Sequence, residues 1–151
     1  MSYSLHVRFV GVDYGRKRIG LAISDATAFL ARPWQVVQVS DADPELSAAM
    51  IADFFPHLMN DDDGLDGIVI GLPRRLDGSD NDQTADVRKF AHQLELITGI
   101  DVHLIDERLT SVEAEAQLAT REKDWKKRKQ QIDAVAAAII LQDFLDSRVR
   151  G

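Results

Sequence analysis

Five short runs of apolar and β-branched residues punctuate the chain. The first three follow one another closely, and the last two alternate with stretches of helical spacing. That order leaves few folds open. Val7 to Val12 reads as a buried strand. Ile19 to Ser24 resumes the β pattern after the turn Asp13-Tyr14-Gly15-Arg16-Lys17-Arg18, so the two predict a hairpin. Trp34 to Val39 is a third strand, the fully apolar Gly67 to Gly71 a fourth, and Val102 to Ile105 a fifth. Asp43-Pro44-Glu45 offers an N-cap, a proline at the first helical position and an early carboxylate. The helix expected there carries Leu46, Met50, Phe54 and Leu58 on one face and ends in the acidic loop Asp61-Asp62-Asp63-Gly64. Val87, Phe90, Ala91, Leu94 and Ile97 mark an amphipathic helix that stops at Gly99. Thr110-Ser111-Val112-Glu113 matches a capping box, and Ile132, Val135, Ala136, Ile139, Ile140 and Leu145 define a last helix. A meander followed by βα alternation predicts an α/β fold, a mixed central sheet flanked by helices. With no linker or repeat, residues 1–151 read as a single domain.

In open α/β sheets ligands bind at the carboxyl ends of strands. Asp13 follows the first strand, Asp106-Glu107 follow the fifth, and Asp133 lies near the start of the last helix among small apolar residues. If the first and fifth strands are neighbours and the last helix crosses them, three carboxylates converge. Such a group repels itself and needs a cation, and all-oxygen ligands suit Mg²⁺ or Mn²⁺. Two ions about 4 Å apart can clamp a phosphodiester. Singly, each acid has a plainer reading: a turn residue at Asp13, a surface ion pair at Glu107, a dipole partner at Asp133.

Basic residues neighbour the same places: Arg16, Lys17 and Arg18 in the hairpin turn, Arg74 and Arg75 after the fourth strand, Arg108 beside Glu107, and Lys126, Lys127, Arg128 and Lys129 ahead of Asp133. One basic run is ordinarily a solvated face. Four aimed at one crevice suit phosphate contacts, with Trp125 able to stack on an unpaired base or to cover a helix end. Gly71 is read as a point of close backbone approach to phosphate. The net charge of −7 argues against a polyanion until its distribution is considered. Much of the acid lies in Asp41 to Glu45 and Asp61 to Asp66, away from these clusters.

The absence of cysteine excludes disulfides, thiolate metal sites and cysteine nucleophiles. The four histidines show no metal-ligand spacing. Residues 1–12 lack a signal-peptide pattern, and Ala134 to Leu141, the longest apolar run, falls short of the roughly 20 residues that span a bilayer. A cytoplasmic protein with no membrane partner is expected. The turn from Asp13 to Gly20 also resembles the phosphate hairpin of kinases and actin-like ATPases, but those need a second lobe.

Asp13-Tyr14-Gly15-Arg16-Lys17-Arg18-Ile19-Gly20, Gly71-Leu72-Pro73, Asp77-Gly78-Ser79, Asp106-Glu107-Arg108-Leu109-Thr110 and Asp133-Ala134-Val135-Ala136-Ala137 together resemble the YqgF/RuvX family. Its members are described as Holliday junction resolvases or pre-16S rRNA nucleases. The resemblance runs from about Val7 to Leu145 in order. It implies an RNase H-like fold, a cytoplasmic location and metal-dependent endonuclease chemistry on rRNA precursor or branched DNA. Asp13, Glu107 and Asp133 are then the catalytic and metal-ligating carboxylates. Strand alternation sends Asp106 and Glu107 to opposite faces, and Glu107 is chosen for the site. The sequence departs from the family at Arg74-Arg75, where an aliphatic residue and an Asn are more usual. A non-catalytic nucleic-acid-binding or ribosome-assembly factor of the same fold is the alternative. Both monomer and homodimer stay open.

Overall fold

A computed structural model describes residues 7–107 and 132–150. The predicted capping box, Trp125, Arg108 and Lys126 to Lys129 lie outside the described residues. Five strands, β1 (Phe9–Asp13), β2 (Arg18–Ser24), β3 (Ala31–Gln38), β4 (Gly67–Leu72) and β5 (Val102–Asp106), form one sheet in the order β3-β2-β1-β4-β5. β1 runs antiparallel to β2 and parallel to β4, and β4 is parallel to β5. The sheet is therefore mixed, as expected. The described helices are α1 (Pro44–Ala52), α2 (Pro56–Asn60), α3 (Thr84–Thr98) and α4 (Ile132–Arg150). None is long and apolar enough to cross a membrane.

Two cores sit on the two faces, and the two-residue period of the strands sorts side chains between them. Val10, Val12, Ile19, Leu21, Ile68, Ile70 and Leu72 pack with Ile51 and Phe55 before α2 and with Val87, Phe90 and Leu94 of α3. Phe9, Ala22 and Val69 face Ala137, Ala138, Ile140, Leu141 and Leu145 of α4. The α4 side of the sheet is lined largely by small residues. A Cβ added at Gly11 would meet Ala137 O and Leu141 Cβ, each at 2.7 Å, and one at Gly20 would lie 1.9 Å from Asp133 O. The backbone of α4 thus rests almost directly on β1 and β2.

The helix expected after Asp43 starts as read: the Asp43 side chain accepts from Leu46 N–H at 2.8 Å, with Pro44 in the first turn. It does not continue to the acidic loop. Pro56 has no N–H for a helical bond and its ring clashes with the preceding turn, so the segment divides into α1 and α2. The buried face of α1 is Ser47, Ala48 and Ile51, whereas Leu46 is 55% exposed. A spacing of four at every step drifts around a helix of 3.6 residues per turn, which displaced the predicted face. α3 ends at Gly99 as expected, in the left-handed region at φ 71°, with its N–H donating to Glu95 O.

Substitution of Gly20 by Ala should push α4 off the sheet. A loss of about 2 kcal/mol or more in unfolding free energy is expected, read as a lower urea midpoint at unchanged m-value.

Candidate active site

The register places Asp13 opposite Gly20 at the carboxyl end of β1 and pairs Leu72 with Asp106 at the ends of β4 and β5. β1 and β5 are not neighbours: β4 lies between them. Glu107 crosses that gap because β4 has no side chain at Gly71. A Cβ there would meet Glu107 Oε1 at 2.6 Å and Ile140 Cδ1 at 2.7 Å. The close approach expected at Gly71 is therefore made by Glu107 and Ile140. Asp13 is in phase with Phe9 on the α4 side, and Asp133 comes down on the same side from the first turn of α4, where its backbone abuts Gly20.

Three carboxyl groups are thus drawn to one edge. Burial, then the charges of Glu107 and Asp133, push the Asp13 carboxyl from 3.8 up to about 7. Burial and then the charge of Asp106 raise Glu107 as well. Among the described residues, no group of three or more His, Cys, Asp or Glu closes into a shell ready to hold a metal ion. Asp133 Oδ2 accepts from Arg18 Nε at 2.9 Å. The donor chemistry itself is all carboxylate oxygen, which suits a hard divalent cation.

The basic residues sort differently from their sequence clusters. Arg16 approaches Asp86 at 3.3 Å, Arg18 is paired with Asp133, and Lys17 is exposed on the turn between them. Arg74 is half-buried, 3.9 Å from Asp106, and its Nε is buried without a hydrogen-bond partner. Arg75 is exposed. Asp106 therefore meets Arg74, while its neighbour Glu107 lies over Gly71. The part played by Gly20 and the steric reason for Gly71 emerge only in the structure, although Gly20 precedes Ala22 by one strand period, which marks a face stripped for close approach.

This sheet order, with a helix laid across the face of β1 and β2, defines an RNase H-like domain. Its fold is similar to that of Thermus thermophilus RuvC, with a TM-score of 0.57 at 16% identity over 95% of this chain and 96% of that one. The family profile described as "RuvX: Holliday junction resolvase" matches residues 7–147, and the chain belongs to the RuvX family. Relatives named "Putative pre-16S rRNA nuclease" are 40% identical in Rhodopirellula baltica, over 95% of this chain and 80% of the relative, and in Maridesulfovibrio salexigens, over 92% and 98%. By homology the chain is a nuclease, a hydrolase of phosphodiester bonds.

A carboxyl raised on folding makes the native state bind more protons than the unfolded chain, so its contribution favours folding at low pH and is lost as pH rises. Metal-free protein should lose about 2–4 kcal/mol through Asp13 between its ordinary 3.8 and about 7. Asp13→Asn should remove most of that slope and melt higher than the parent at pH 8. Thermal melts in chelator across pH 5 to 8 check it; parallel slopes for both proteins would show that Asp13 is not the group responsible.

Proposed function

We propose that the chain is an endonuclease for structured nucleic acid, with precursor 16S rRNA as its substrate, acting through Asp13, Glu107 and Asp133. The observation that carries this reading is Asp13 itself. It is a buried carboxyl at a strand end that feels two further carboxylates brought from β5 and α4. A group so placed is costly to the metal-free fold and is relieved by a cation. The three side chains would hold Mg²⁺ or Mn²⁺, which when bound supplies neutralising charge, polarises the phosphodiester and activates water. The protein's part is positional. Gly71 lets Glu107 lean toward Asp13, and the contact at Gly20 fixes the height of Asp133 above the sheet. Arg16, Lys17, Arg18, Arg74 and Arg75 offer phosphate contacts around that edge. Arg108 and Lys126 to Lys129 extend the set by sequence position. The names of the relatives support rRNA precursor, and the family description supports branched DNA as the competing substrate. Processing of rRNA precursor puts the protein in the bacterial cytoplasm.

The non-catalytic assembly factor keeps one supporting observation, the pairing of Asp133 with Arg18. A panel of rRNA precursor, four-way DNA junction and linear duplex, with Mn²⁺ and mapped products, separates the readings. Cleavage of the precursor is expected, with Asp13→Asn and Glu107→Gln lowering the rate about 100-fold or more. Salt-sensitive RNA binding without cleavage would transfer the function to the assembly factor. Preferential, paired cuts in the junction would transfer the substrate to DNA and indicate a homodimer.

Gly71→Ala tests the positioning. Its Cβ would displace Glu107, so turnover should fall about tenfold or more while nucleic-acid affinity holds. Single-turnover rates and a binding isotherm measure the two separately.

A further inference from the structure

Between β4 and α3 the chain builds a small rigid hairpin with a leucine at its tip. Arg74 and Asp80 form an antiparallel bridge. Arg75 N–H donates to Ser79 O at 2.9 Å, and Gly78 N–H donates to Arg75 O at 2.9 Å. Gly78 has φ +91°. This is a three-residue loop in which a turn over Leu76 and Asp77 is closed by a left-handed glycine. The Asp77 carboxylate accepts from Ser79 N–H at 2.9 Å and Ser79 Oγ at 2.6 Å, which stiffens the turn. The stem is tied down on both sides. Arg88 of α3 holds Asp80 at 2.6 Å, Thr84 Oγ1 donates to Pro73 O at 2.6 Å, and Arg74 lies by Asp106. On this braced tip Leu76 is 93% exposed, more than any other large apolar residue described.

We propose that Leu76 is a wedge that enters an unstacked base step of the nucleic-acid substrate and sets the scissile phosphate against the carboxylates. The inference rests on the nuclease reading and deepens it. Apolar side chains that insert between base steps do so from positions flanked by cations that grip the backbone, and Arg74 and Arg75 immediately precede Leu76. Leu76 lies five positions beyond Gly71, where Glu107 lies, so the tip is at most about 18 Å from that point of the site. A substrate bound at the carboxylates is within reach of the tip. Asp80, the acid of the stem, is neutralised by Arg88, which lessens its repulsion of phosphate. A tip fixed by its own hydrogen bonds presents the side chain without having to be ordered on binding. The wedge selects substrate by the ease with which a step opens: helix ends, mismatches and branch points over uninterrupted duplex.

The test uses the full chain with rRNA precursor and a four-way DNA junction, each carrying 2-aminopurine at the bend or branch, in chelator so that binding proceeds without cleavage. Wild type should raise the 2-aminopurine fluorescence about threefold at saturation, and Leu76→Ser should abolish the rise while binding by anisotropy changes less than about threefold. With Mn²⁺, Leu76→Ser should lower kcat about tenfold with little change in KM, and Leu76→Phe should retain both fluorescence and turnover. Melting curves of the variants should superpose on wild type, because the side chain is exposed. An equal fluorescence rise in wild type and Leu76→Ser, or cleavage by wild type with no rise at all, overturns the wedge and leaves the nuclease intact. Failure of wild type to bind or cleave either substrate overturns both.

Discussion

The seating of α4 on the sheet decides where everything else goes. A helix on a sheet normally stands off by the height of two layers of side chains. Here Gly11 and Gly20 remove one layer, and Ala134, Ala137 and Ala138 shrink the other. The gain is contact between backbone and sheet over β1 and β2, and the first turn of α4 is carried down to the plane of Asp13. Gln142, buried midway along the same helix, adds a second anchor by accepting from Ala31 N–H and donating to Phe29 O, each at 2.9 Å. A helix held at its first turn and at its middle and backed by small residues has little freedom to shift. Asp133 inherits that rigidity.

The same closeness has an electrostatic cost. Asp13 lies where burial and two neighbouring carboxylates oppose its ionisation, and nothing in the core requires an acid there. Val12 and Gly11 show how readily that strand accepts neutral residues. A buried carboxyl matched by two others at the same edge is what the proposed chemistry requires and what packing alone does not. The glycines carry the complementary argument, since a side chain at Gly71 would improve strand propensity yet occupy the space of Glu107.

Which parts of this were legible in the sequence follows from the range of the interactions involved. Strand ends, the Asp43 cap and the Gly99 stop are local, and residues within a few positions determine them. The two-residue period separates Asp106 from Glu107, and the structure puts Glu107 over Gly71 while Asp106 lies by Arg74. Which of the two is chosen for the site comes from the family resemblance, not from the period. Whether the first and fifth strands are neighbours is a matter of topology that no local pattern carries, and β4 lies between them. The pairing of Arg18 with Asp133 joins residues 115 positions apart, and no local pattern encodes it. The division of α1 from α2 was legible in Pro56, but the apparent stripe of apolar residues at spacing four masked it.

A net charge of −7 and a nucleic-acid substrate are reconciled by how the cations are held. Arg16, Arg18 and Arg74 each lie beside an acid, Asp86, Asp133 and Asp106 respectively. Exposed or partly exposed pairs of this kind contribute only about 0–1 kcal/mol apiece, so exchanging a carboxylate for a phosphate partner costs little. The Arg18–Asp133 pair couples two such exchanges under the proposed chemistry. A cation taken up by Asp133 frees Arg18 for phosphate, and a phosphate that draws Arg18 away frees Asp133 for a cation. Each event removes the competitor of the other, so the two ligands favour one another through a single bond of 2.9 Å. In the absence of both, Arg18 stays paired with Asp133, while the charge of Asp133 is still felt at Asp13. The acidic chain thus keeps its cations at the edge where the proposed function would put the polyanion, in pairs weak enough to be exchanged.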